Sequence, residues 1–151
     1  MSRCLVVFAH PSPDSLNGAV LERVVRALEG NEVRIRDLHA EGFESRLSLD
    51  EKRRHFDPPE TKPALASHFD DLTWCDTLVL VHPTWWGQQP AILKGWIDRV
   101  WACGVAWELP AGATRLAPRL RARPWRVAAG TAPPRRAPRQ AGAWSGSACW
   151  V

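Results

Sequence analysis

Two short apolar runs frame the first half of the chain. Leu5-Val6-Val7-Phe8 and Leu78-Val79-Leu80-Val81 are continuous rather than alternating, the pattern of strands covered on both faces. Between them, Glu32-Val33-Arg34-Ile35-Arg36 alternates strictly, which predicts a strand with one wet face at a sheet edge. Stretches of helical spacing separate these strands. Leu21, Val24, Val25 and Leu28 recur every three to four positions before Gly30, and Ser15 or Asn17 can cap the start. Ser48 with Glu51 three residues on is a capping-box signature, predicting a short helix to about Phe56 that Asp57-Pro58-Pro59 breaks. A further helix is predicted from about Pro63 to Leu72. Pro90 suits the first turn of the last one, whose inner face reads Ile92, Leu93, Trp96, Ile97, Val100 and Trp101.

Strand, helix, strand, helix, strand, helix is the order of an α/β domain with a parallel sheet and helices on both faces. The alternating strand belongs at the edge as strand 2, and the two apolar strands are adjacent as 1 and 3. This gives a doubly wound order beginning 2-1-3. Ligands in such sheets sit beyond the carboxyl ends of the strands, where the winding reverses. Here that point collects the loops His10–Asn17 and His82–Gln89.

The first loop joins a buried strand to a helix N-terminus, where unpaired N–H groups and the helix dipole favour an anion. His10, Ser15 and Asn17 add side-chain donors. The loop reads equally as a phosphate site and as a well-capped turn with a structural histidine. It contains neither G-x-G-x-x-G nor a Walker lysine. The second loop carries Trp85 and Trp86 side by side at the end of a buried strand. Both cannot enter the core, so at least one lines the cleft or covers a planar ligand; the alternative is that both pack. Trp107, after the last helix, is a third candidate wall.

Composition changes the picture in the last third. Residues 109–151 hold eight arginines and no acidic residue, whereas every Asp and Glu lies before them. The net charge of +4 therefore belongs to the tail. A basic tail is a candidate arm for nucleic acid or anionic membrane, and we expect no sequence-specific nucleic-acid partner. The four cysteines, at 4, 75, 103 and 149, are too dispersed for a zinc site or a disulfide framework. Cys4 and Cys75 are expected to be buried thiols. No apolar run approaches the ~20 residues that cross a bilayer, and Met1–Phe8 is too short for a secretory signal. A cytoplasmic location is the expectation.

Taken together the segments resemble a known family. Ala9-His10-Pro11-x-x-x-Ser15-x-Asn17 resembles its flavin-phosphate loop. Asp37-Leu38-x-Ala40-Glu41-Gly42-Phe43 resembles the loop after its second strand. His82-Pro83-Thr84-Trp85-Trp86, followed by Pro90-Ala91-Ile92-Leu93-Lys94-Gly95-Trp96-Ile97-Asp98-Arg99-Val100, resembles its most specific block. The family is the flavodoxin-like NAD(P)H:quinone oxidoreductases. The resemblance implies a flavin, FAD or FMN, with NAD(P)H as co-substrate and a quinone as acceptor. It implies that His10, Ser15, Leu16 and Asn17 hold the flavin phosphates and that Pro83, Thr84, Trp85 and Trp86 wrap its ring. Trp107 would line a substrate pocket that family members build at a homodimer interface. A regulatory subunit of the ion-efflux type and an inactive truncated product are the alternatives to an enzyme.

The resemblance stops after Arg115-Leu116-x-Pro118. Family members continue with an apolar strand and a Thr/Gly-rich loop that contacts the flavin ring, so the residues assisting hydride transfer are not identified. Here an Arg-, Pro- and Ala-rich segment follows, in which only Val127-Ala128-Ala129 is strand-like. Its composition resembles GC-rich coding sequence read out of frame, and a disordered basic tail is the competing reading. The expectation is a flavin-binding domain over 1–118, lacking strands 4 and 5, and a tail over 119–151. Strand 3 would then be an exposed edge.

Overall fold

A computed structural model describes residues 1–120 and the backbone of residues 126–130. The elements run in chain order as β1 (Arg3–Phe8), α1 (Leu16–Ala27), β2 (Glu32–Asp37), α2 (Leu49–Arg53), α3 (Ala66–Trp74), β3 (Thr77–Pro83), α4 (Ala91–Val100), β4 (Trp107–Glu108), β5 (Ala117–Pro118) and β6 (Arg126–Gly130). The main sheet is parallel in the order β2-β1-β3-β6. β4 and β5 make a separate two-stranded antiparallel pair.

β1 and β3 are apolar throughout because both of their faces are covered. Leu5, Val7, Leu78 and Leu80 point to one face and join Phe69, Leu72, Leu93, Trp96 and Val100 from α3 and α4. Val6, Phe8, Val79 and Val81 point to the other, beneath Val20, Leu21, Val24 and Leu28 of the α1 segment. The period of two along each strand thus sorts its residues between two cores. β2 is the outermost strand among the described residues; its Val33 packs against the second core while Ile35 is about half exposed, so burial follows the sequence alternation only in part. The predicted inner face of α4 divides into fully buried Leu93, Trp96 and Val100, with Ile92, Ile97 and Trp101 packed around them.

Side-chain caps mark the starts of α1 and α2. Ser15 is the N-cap of α1, its hydroxyl accepting from the Gly18 N–H at 3.1 Å. Ser48 and Glu51 form the capping box of α2, which ends at Arg53, before the expected Phe56. The helix expected from Pro63 begins as a 3-10 turn over Pro63–Leu65 and becomes α-helical only at Ala66. Polar side chains pin β2 to α3. Asp71 accepts from Arg34 at 2.7 Å and from Arg36 at 2.6 Å. Beside it, buried His68 accepts from the Trp96 indole N–H at 3.3 Å. Desolvation, with Arg36 adding, lowers the His68 pKa to about 4.

One expectation is corrected. β3 is not an edge, because Arg126–Gly130 pairs with it in parallel from Val79↔Arg126 to Pro83↔Gly130. A fourth strand is therefore present, beyond the boundary placed at residue 118. The run Val127-Ala128-Ala129 is short and weakly apolar, but a strand needs only a paired backbone once its neighbour presents an open edge. The remainder of the expected tail, with Cys149, lies outside the described residues. Cys4 and Cys75 are buried and unbridged, and burial pushes the Cys75 thiol up to about 11. No helix among the described residues is long and apolar enough to cross a membrane.

Candidate flavin site

β1 and β3 are hydrogen-bonded neighbours with Phe8 opposite Val81. The chain therefore leaves both strands side by side and at the same height. After β1 it continues through Ala9, whose N–H donates to the Val81 carbonyl at 3.0 Å, into the loop that ends at Ser15. Within that loop His10 Nδ1 lies 3.1 Å from the Ser12 N–H and 2.9 Å from the Ser12 carbonyl. In the tautomer that accepts from the Ser12 N–H, Nε2 carries the proton and is a donor. Leu16 is half exposed at the first position of α1, while Asn17 is buried at 3% exposure. Gly18 lets the loop fold back onto the helix start: a Cβ there would lie 1.7 Å from the Pro13 carbonyl oxygen.

Buried Pro83 at the end of β3 and half-buried Thr84 after it lead into a tight reversal. Trp85 and Gln88 exchange backbone hydrogen bonds of 2.9 and 3.0 Å. Between them Trp86 has φ +52° and Gly87 φ +74°, the conformation of a type I′ turn. Glycine takes that conformation freely, whereas tryptophan at positive φ is strained. The turn leaves Trp85 46% exposed and Trp86 85% exposed. The two loops meet where the Trp85 and His10 rings stand 6.3 Å apart.

The sequence pattern of the flavodoxin-like fold family matches residues 2–145 of this chain. The chain belongs to that family. The match runs past Pro118, where the motif resemblance had ended, and takes in β6. Two curated relatives are a ribosyldihydronicotinamide dehydrogenase-like protein of Penicillium crustosum and the ribosyldihydronicotinamide dehydrogenase [quinone] of Pongo abelii. The first is 35% identical over 120 residues, covering 68% of this chain and 45% of that protein. The second is 32% identical over 126 residues, covering 72% and 54%. The chain thus spans about half the length of the curated relatives it matches. Among solved structures, an NAD(P)H:quinone oxidoreductase from Methanothermobacter marburgensis superposes with TM-score 0.76 at 28% identity, over 86% of this chain and 66% of that one.

Within this flavodoxin-like fold, eight of the nine expected site residues sit at the two neighbouring strand-to-helix junctions. They are His10, Ser15, Leu16 and Asn17 on one side and Pro83, Thr84, Trp85 and Trp86 on the other. Trp107 is at neither: it opens β4, seven residues after α4 ends. Its aromatic neighbours are His55 and Phe56, and its indole N–H donates to the Trp101 carbonyl at 2.8 Å. His55, Phe56 and Gly18 have parts here that the sequence reading missed. The glycine three residues after a capping serine was a usable signal for close approach. Nothing local announced the meeting of segment 55–56 with Trp107.

Proposed function

We propose that this chain is a flavin-binding NAD(P)H:quinone oxidoreductase unit of the flavodoxin-like family, and that its flavin-binding domain extends across residue 118 to include β6. The observation that carries the reading is the meeting of an anion-receptive helix start with an exposed pair of indoles at the junction of β1 and β3. The donor set fits the cofactor. First-turn N–H groups of a twelve-residue helix, the Ser15 hydroxyl and the His10 imidazole suit a phosphate. Two exposed indoles on a rigid turn suit a planar ring. Both FAD and FMN carry these two parts.

The chemistry that a bound flavin supplies is hydride acceptance from NAD(P)H at N5 and two-electron delivery, with a proton, to a quinone. The chain's own residues bind and orient. His10, Ser15, Leu16 and Asn17 anchor the phosphate end, and Pro83–Trp86 hold the ring end. β6 ends level with Pro83, the first residue of the ring-holding segment. Trp107 forms a wall of the acceptor pocket. As the family resemblance implies, that wall belongs to a pocket built at a homodimer interface. NAD(P)H and quinone then use one ring face in turn, which predicts ping-pong kinetics.

The test is steady-state reduction of a water-soluble quinone by NADH and NADPH, with bound flavin per chain measured on the same preparation. Parallel double-reciprocal lines and one flavin per chain are expected. Absence of bound flavin would overturn the reading. Full flavin occupancy without turnover would favour a regulatory subunit.

A further inference from the structure

We propose that His55 is a positioning residue that fixes the indole of Trp107 in the acceptor pocket. The proposal rests on the reading of Trp107 as a pocket wall. The Trp107 ring is held from three directions. Its N–H donates to the Trp101 carbonyl at 2.8 Å. The Phe56 ring meets it edge-on, with centroids 5.6 Å apart at 84°. The His55 ring lies over it at 5.1 Å with a tilt of 39°, so of the two ring contacts it covers more of a face.

The hydrogen bond fixes one atom of the indole and leaves rotation about that point open. The two rings close it, and each comes from the segment after α2. That segment is itself tied to the rest of the fold. Arg99 of α4 donates to Glu51 at 2.7 and 2.9 Å. Arg54 donates to the Thr61 carbonyl at 2.9 Å, and Lys62 to the Asp57 carbonyl at 3.0 Å. Pro59 packs against Gly104 so closely that a Cβ there would lie 2.9 Å from its ring. His55 is thus mounted on a braced platform, whereas Phe56 is 61% exposed. Desolvation, with Lys52 and Lys62 adding, lowers the imidazole pKa and so favours the neutral ring. A neutral imidazole can be replaced by another flat ring without loss of the contact.

The experiment uses the full chain. The near-ultraviolet circular dichroism of wild type minus Trp107→Phe gives the signature of the ordered Trp107 indole. His55→Ala is expected to lose most of that signature and to raise quinone KM by about 2- to 10-fold, the range set by one aromatic contact. Flavin content and kcat should stay within about twofold, because His55 lies outside the His10–Asn17 loop. His55→Phe should restore both signature and KM. If His55→Ala does not fold, His55→Leu, which fills the space without a ring, takes its place. Retention of the signature in His55→Ala would overturn the positioning role, as would a failure of His55→Phe to restore it. If Trp107→Phe and Trp107→Ala leave quinone KM unchanged, the pocket reading fails instead, whatever His55 does to the signature.

Discussion

Gly18→Ala adds one methyl group where the start of α1 has no room for it. The Cβ would stand 1.7 Å from the Pro13 carbonyl oxygen and 2.8 Å from its carbon. Ordinary contact begins near 3.4 Å, so loop and helix must part by about 1.7 Å. The obstacle is main chain on both sides and cannot rotate away as a side chain would. Such a movement opens the 3.1 Å bond from the Gly18 N–H to the Ser15 hydroxyl. Overpacking costs about 1–3 kcal/mol and the lost cap about 1 kcal/mol. The sum of about 2–4 kcal/mol lowers Tm by roughly 5–15 °C for a chain of this size. The same displacement takes first-turn N–H groups out of hydrogen-bond range of a phosphate, so flavin affinity should fall by more than about 10-fold. Thermal unfolding followed by circular dichroism, with a parallel flavin titration, reads both effects. Ala19→Ser, one position on and exposed, is the control and should shift stability by no more than about 0.5 kcal/mol. A Gly18→Ala protein with wild-type Tm and wild-type flavin affinity would refute the reasoning.

Trp86→Gly relieves a tryptophan at φ +52°, so it should stabilise the apo-protein by about 1 kcal/mol while weakening flavin binding; denaturant melts and flavin titration check the opposite signs. His68 has a folded pKa of about 4, below the ordinary 6.5, so its contribution is full above pH 6.5 and is lost as pH falls through that window toward 4. Wild type should therefore lose roughly 2–3 kcal/mol more than His68→Gln between pH 7.5 and pH 4.5, and equal losses in urea titrations would remove His68 as the cause. Ending the chain at Leu120 deletes β6 and unpairs the outer edge of β3; sedimentation should show aggregation at micromolar concentration, and a monodisperse product would show that β6 is dispensable.

Much of this architecture was legible because it is local. Leu5–Phe8 and Leu78–Val81 are apolar without a break because each strand feeds two cores. Glu32–Arg36 alternates and is the outermost strand of the sheet among the described residues, and Ser48 with Glu51 makes the capping box that its spacing promises. The strand order alone placed the two candidate loops side by side, as the pairing of β1 with β3 has them. β6 was harder, because Val127-Ala128-Ala129 is short and lies among arginines and prolines; its strand character comes from the open edge of β3. The turn at Trp85–Gln88 was not legible as a turn, since tryptophan is a poor residue for positive φ and the Asn-Gly signal is absent. Contacts between distant segments, such as His68 with Trp96 or His55 with Trp107, exist only in the folded chain.

Titration of flavin into the purified full chain, followed by quenching of flavin fluorescence, tests the central claim most directly. Saturable one-to-one binding of FMN or FAD is expected, with quenching by the nearby indoles. In the combined Ser15→Ala and Asn17→Ala variant, each hydrogen bond lost to a charged phosphate costs about 1.5–3 kcal/mol, so affinity should fall at least about 100-fold. A wild-type chain that binds neither flavin, or a double variant that binds as tightly as wild type, would contradict the account.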